Sequence, residues 1–108
     1  MKLSGDPLEF IKRCIFDKRV FWTYHVNMRL RDRAITRRMV VESPGNFEII
    51  ESYPEDKYMP SYLVYSRYDE TIFHVLFAID EPNNNVRVVT AYIPDPSRWN
   101  ADFKRRLK

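Results

Sequence analysis

The sequence predicts an α+β fold: two to three N-terminal helices on one side of an antiparallel sheet of about four strands, with a further helix at the C-terminus. Three observations predict it. Apolar residues recur at helical spacing behind clear cap residues as far as Asn46. Beyond Asn46 the pattern turns to alternation of period two. After Pro94 a cap-and-proline signal returns, followed by Trp99, Phe103 and Leu107 at i, i+4 and i+8.

The first helix opens with Asp6 as N-cap, Pro7 at N1 and Glu9 at N3, and its apolar stripe runs through Leu8, Ile11 and Ile15. Val20-Phe21-Trp22-Thr23 is a β-branched and aromatic stretch, read as a small strand or an extended connector. A second helix spans Tyr24 to Ala34. Thr36 caps a third helix through Glu42, which Ser43-Pro44-Gly45-Asn46 ends. Strands are expected near Phe47 to Tyr53, Ser61 to Tyr68, Ile72 to Asp80 and Val86 to Ile93. Asp69-Glu70 and the Glu81 to Asn85 stretch are short turns, so the last three strands form an antiparallel meander. Both sides of Ile72 to Asp80 are largely apolar, which marks a central strand with one face under the helices and the other lining a groove.

Residues 1–108 form a single domain on size grounds. With 44% hydrophobic and 15% aromatic residues and only two glycines, the chain is a packed globular domain rather than a disordered one. The lone cysteine, Cys14, reads as a small buried side chain and fits a reducing cytosol. No leader resembling a signal peptide is visible, and no apolar run approaches the ~18 residues of a membrane span. A cytoplasmic protein without a membrane partner is the expectation.

The net charge of +3 is unevenly spread. Residues 1–46 hold ten Lys/Arg against five Asp/Glu, residues 47–93 three against eight, and residues 94–108 five against two. Two basic ends meeting in space would form the cationic surface of a nucleic-acid binder.

Several chemistries are excluded by spacing. Two histidines and one cysteine offer no i, i+4 His pair and no Cys-x-x-Cys, so no metal is expected. Neither Gly5 nor Gly45 sits in a phosphate-binding loop, which removes the P-loop and dinucleotide classes, and no cofactor is expected. Metal-independent acid–base chemistry remains. Cleavage of RNA by its own 2′-hydroxyl needs a base, an acid for the leaving 5′-oxygen and cations for the phosphorane.

Candidates for those roles are in stock. His25, Arg29, Asp32 and Arg33 fall at i, i+4, i+7 and i+8, so an imidazole shares a helix face with two permanent cations. Arg37 and Arg38 lie in the first turn of the third helix, where the dipole disfavours cations, and Lys104, Arg105 and Lys108 turn outward from the C-terminal stripe. His74, Thr90 and Tyr92 sit on strands.

The ordered set His25-x-x-x-Arg29-x-x-x-Arg33-Ala34-Ile35-Thr36, Tyr53-Pro54-Glu55-Asp56, Pro60-Ser61-Tyr62-Leu63-Val64, Phe73-His74-Val75, Val88-Val89-Thr90-Ala91-Tyr92 and Pro94-Asp95-Pro96-Ser97-Arg98-Trp99 resembles the small bacterial domain of unknown function 4258, over about Phe21 to Trp99. That family looks like a branch of the RelE/ParE-type toxin superfamily. The resemblance implies helices against a curved antiparallel sheet, and an RNA-binding, toxin-like domain. It implies a messenger-RNA endonuclease acting free or on the ribosome, and a cognate antitoxin as protein partner. It marks His25, Arg29, Arg33, His74, Thr90 and Tyr92 as the site, gathered at one face. Arg37, Arg38, Lys104 and Arg105 would then track the RNA backbone. One departure stands out: the family usually has glycine where Ala34 stands, so alanine there implies a right-handed turn or a small strain. The alternative expectation is a non-catalytic module that binds a protein through the groove or a sheet edge, and a third is a small-ligand pocket between helices and sheet.

Overall fold

The computed structural model describes residues 5–107. Along the chain run α1 (Pro7–Phe16), β1 (Val20–Trp22), α2 (Tyr24–Asp32), α3 (Arg37–Val41), a 3-10 turn (Pro44–Asn46), β2 (Glu48–Tyr53), β3 (Ser61–Tyr68), β4 (Thr71–Asp80) and β5 (Asn85–Tyr92). The fold is α+β.

Cap chemistry explains where the helices begin. Asp6 accepts from the Leu8 amide at 2.9 Å ahead of Pro7, Thr23 accepts from Val26 N–H at 3.1 Å, and Thr36 accepts from Met39 N–H at 3.1 Å. α2 ends at Asp32 because Ala34 takes a left-handed φ of 57°, and the Ile35 amide turns back to the Leu30 carbonyl at 3.4 Å. This is the Schellman closure that glycine usually serves, so Ala34 carries a strain of about 1 kcal/mol.

The sheet has five strands in the order β1-β5-β4-β3-β2 and is mixed rather than purely antiparallel. Val20–Trp22 is a genuine strand, paired parallel to β5 through Val20↔Val86 and Trp22↔Val88. A three-residue strand whose partner lies at the far end of the chain has no hairpin turn to announce it. The β2, β3, β4 and β5 meander is antiparallel as expected. Between helices and sheet lies one core, in which Ile11, Val26, Leu30, Ile35 and Val40 meet Phe73, Val75, Phe77, Val86 and Val88. Cys14 is buried with them, and burial pushes its thiol up.

The expected C-terminal helix does not form. Residues after Tyr92 instead make turns that close into a small hairpin, with Trp99 bridged to Arg106. Its backbone bonds run from Leu107 N–H to the Arg98 carbonyl at 2.9 Å and from Asn100 N–H to the Arg105 carbonyl at 2.8 Å. Short polar side chains take the amides a helix would need. Asp95 makes the contact of a helix N-cap ahead of Pro96, accepting from Ser97 N–H at 2.8 Å, but further on Asp102 accepts from Lys104 N–H at 3.0 Å and Asn100 from Arg105 N–H at 3.2 Å. Phe103 turns at a left-handed φ of 60°. Lys108 lies outside the described residues.

Two β-bulges decide which side chains reach the face away from the helices. In β2 the register slips between Ile49 and Glu51; in β5, Leu76 pairs with Thr90 while Phe77 pairs with Val88, leaving Val89 as the extra residue. Ile49 packs toward the core, as do Val88 and Ala91. Past each bulge the parity flips, so Glu51, Tyr53, Thr90 and Tyr92 share the far face with His74.

Candidate functional site

The outer surface of α2 is built from the residues its core stripe leaves over. Val26 and Leu30 are buried at i and i+4, which holds the helix down. His25 and Arg29, one position before each, are therefore exposed, flanked by Tyr24 at 80% and Met28 at 49% exposure. Among the described residues neither His25 nor Arg29 has a hydrogen-bond or ion-pair partner, and Arg31 and Asp32 are exposed beside them.

Arg33 behaves differently although it continues the same spacing. As the helix C-cap it swings to the stretch of β5 beyond the end of β1. There it donates to Thr90 Oγ1 at 3.2 Å and to the Ala91 carbonyl at 2.8 Å. Those contacts fix its guanidinium as a brace between helix and sheet.

On the opposite face, His74 is wholly buried. Its Nε2 lies 2.7 Å from the Phe103 carbonyl. A carbonyl only accepts, so Nε2 carries the proton and Nδ1 receives the Tyr92 hydroxyl at 3.3 Å. The ring meets Trp99 edge-on at 4.5 Å and Tyr92 at 5.3 Å. Burial pushes its pKa down, against the opposing pull of the Phe103 bond and the Glu51 charge. Burial likewise pushes the Tyr92 phenol up. The imidazole is thus held neutral, with both nitrogens engaged.

Residues that sequence reasoning missed close this face. Arg106 donates to both Glu51 carboxylate oxygens, at 2.6 and 3.2 Å, and its guanidinium lies 4.7 Å over the Trp99 ring. Tyr53 donates a further hydrogen bond to Glu51. Burial pushes the Glu51 carboxyl up, but the bonds from Arg106 and Tyr53 and the nearby positive charge outweigh it and hold the group below its ordinary range. A cleft of about 400 Å³ remains beside this cluster, lined by Tyr92, Ile93, Asp95, Arg98, Trp99 and Arg106. The signal was faint: a carboxylate and a tyrosine two apart on an edge strand, moved to this face only by the bulge.

The four expected backbone-tracking cations are mostly engaged within the molecule. Arg37 donates to Asn27 Oδ1 at 2.9 and 2.7 Å and stacks on Trp22. Arg38 pairs with Glu42 at 2.6 Å. Lys104 pairs with Glu48 at 2.9 Å over the Tyr65 ring. The Arg105 side chain alone of the four has no partner among the described residues. The six site residues thus fall into three groups: Arg33 with Thr90, His74 with Tyr92, and His25 with Arg29 on α2. The first two groups adjoin along β5, whereas His25 and His74 lie on opposite sides of the sheet.

Among the described residues no three His, Cys, Asp or Glu side chains gather to hold a metal ion, and no helix is long and apolar enough to cross a membrane. No curated protein and no solved structure matches the chain. A family model, the domain of unknown function DUF4258, matches residues 22–93, from the last residue of β1 through β5 and including α2, His74 and Tyr92, but not the C-terminal hairpin. With well over half its length matched, the chain belongs to the DUF4258 family.

Proposed function

We propose that this domain is a RelE-like, RNA-binding protein of the bacterial cytoplasm that contacts single-stranded RNA through the outer face of α2. The observation that carries the reading is the pair His25 and Arg29, exposed and without partners among the described residues, beside the exposed ring of Tyr24. A guanidinium and an imidazole with an adjacent aromatic platform suit a phosphate chain and its splayed bases. Arg29 would hold a phosphate, and Arg105 would add a contact at long range.

Cleavage, where it occurs, uses His25. The imidazole takes the 2′-hydroxyl proton as that oxygen attacks phosphorus, Arg29 stabilises the phosphorane, and the 5′-oxygen leaves with a proton from solvent, giving a 2′,3′-cyclic phosphate. His74, neutral and enclosed, serves the architecture. Such an activity fits a toxin that acts on messenger RNA, free or on the ribosome, under control of an antitoxin protein.

Anisotropy of a labelled single-stranded RNA titrated with the full chain tests the reading. The expected result is salt-dependent binding that weakens about tenfold in Arg29→Ala and further with His25→Ala added. Arg38→Ala, whose guanidinium is already paired with Glu42, leaves it unchanged. Absence of binding at low salt, or equal binding by all three variants, would overturn it. Incubation with EDTA, followed by analysis for cyclic-phosphate ends, separates binding from cleavage.

A further inference from the structure

A large cleft lies away from both histidines. It is a cleft of about 1010 Å³ between α1, β1 and the end of α3, with Ile15, Phe16, Val20, Trp22 and Val41 among its lining residues. Its apolar surface is exposed to an unusual degree. Phe16, on the last turn of α1, is 85% exposed, and Val41 opposite is 40% exposed. Trp22 forms a firm wall, because Arg37 stacks on its ring at 5.2 Å while held by Asn27. A half-covered apolar cleft with a projecting phenyl ring is a common form of a peptide-binding groove.

The charge at the cleft gives its occupant a sign. Lys12, Arg13 and Lys18 line it against the single carboxylate of Glu9. Lys18 sits there at a left-handed φ of 61°, a conformation that glycine or asparagine adopts more cheaply. That turn closes α1, with the Arg19 amide returned to the Cys14 carbonyl at 2.7 Å, and it leaves Lys18 lining the cleft.

We propose that this cleft is the docking groove for an acidic, amphipathic segment of a partner protein. The segment inserts aliphatic or aromatic side chains against Ile15, Val20 and Trp22, is clasped by Phe16, and lays its carboxylates along Lys12, Arg13 and Lys18. A second copy of this chain fits less well, since a two-fold contact would set one cationic rim against another. A nucleic acid fits less well too. The floor is largely aliphatic, and the indole face already occupied by Arg37 is closed to base stacking. The groove is separate from the outer face of α2, so either surface can fail without the other.

Random linear peptides displayed on phage and selected on the full chain, with Phe16→Ala as counter-selection, test the proposal. Phe16 is exposed enough for its truncation to leave the fold intact. The expected winners carry spaced apolar residues and an excess of Asp and Glu. Bound to the ¹⁵N-labelled chain, they shift the amides of Ile15, Val20, Trp22 and Val41. Binding of the best peptide weakens about tenfold in Phe16→Ala and again in the Lys12→Glu, Lys18→Glu double variant. Winners that are neutral or basic, or no winner dependent on Phe16, would overturn it. Self-association of the free chain abolished by Phe16→Ala would assign the groove to a second copy. Displacement of the peptide by a single-stranded RNA would assign it to nucleic acid.

Discussion

The two histidines of this chain stand on opposite sides of one sheet, and their surroundings differ in almost every physical respect. His25 rides on a helix surface with solvent, an exposed tyrosine and an arginine that has no partner among the described residues around it. His74 is sealed between Tyr92, Trp99 and the Phe103 carbonyl, with its charged form disfavoured. The first arrangement leaves groups available to an incoming anion; the second has already used them. A histidine's value to a binding site depends on what its nitrogens have left to give, and here only the helix retains any.

The largest test of this contrast is to remove the lid. Trp99 is 4% exposed and touches both the His74 ring and the Arg106 guanidinium, so Trp99→Ala should cost about 3–5 kcal/mol in denaturant unfolding. It should also loosen the Arg106–Glu51 pair and let the His74 resonances titrate nearer the ordinary imidazole range. A variant with unchanged stability and an unchanged His74 titration would show that the hairpin does not enclose the ring.

How far such contacts were legible in the sequence varies with their range. α1 and α3 open where Asp6, Pro7 and Thr36 announce them, because a cap is a contact between neighbours. The meander was readable from alternation and turns. The C-terminal hairpin was not: Trp99, Phe103 and Leu107 have helical spacing, but Asn100 and Asp102 capture the amides first. The far-face cluster was hidden for a different reason. Strict alternation from Val86 and Val88 would send Thr90 and Tyr92 into the core, and alternation from Phe47 and Ile49 would do the same to Glu51. One extra residue in each strand reverses that, and a bulge between long-range partners leaves no local pattern. The family resemblance named Thr90 and Tyr92; it carried no trace of Arg106, which lies beyond the matched region.

A second test uses pH and needs no change to the hairpin. Burial lowers the His74 pKa in the folded protein below the ordinary value of 6.5. The unfolded chain therefore binds the proton first, and stability falls as pH drops below about 6.5 until the folded-state value is passed. Glu51 adds to the loss in a lower window. Its folded pKa lies below the ordinary 4.5, so its contribution is complete above that value and disappears as pH falls through the folded one. Urea midpoints measured between pH 7 and 5 should decline in the native chain. The decline in that window should be much reduced in His74→Gln; an unaltered slope would place its origin elsewhere.

The smallest expected effect concerns the joint between the two regions. Arg33 reaches β5 only because α2 stops at Asp32 and Ala34 turns left-handed at φ 57°, so the brace onto Thr90 and Ala91 rests on a strained alanine. Glycine at 34 relieves that strain but leaves the unfolded chain freer, and the two effects oppose each other. Relief of about 1 kcal/mol or more against an entropic loss of somewhat less leaves Ala34→Gly more stable by about 0.5 kcal/mol. Thermal unfolding should show a small rise in midpoint, with the Arg33 contacts kept. A fall instead would mean that the closing turn of α2 is not left-handed in solution, and Arg33 would then project with His25 and Arg29 as a third free member of the helix face.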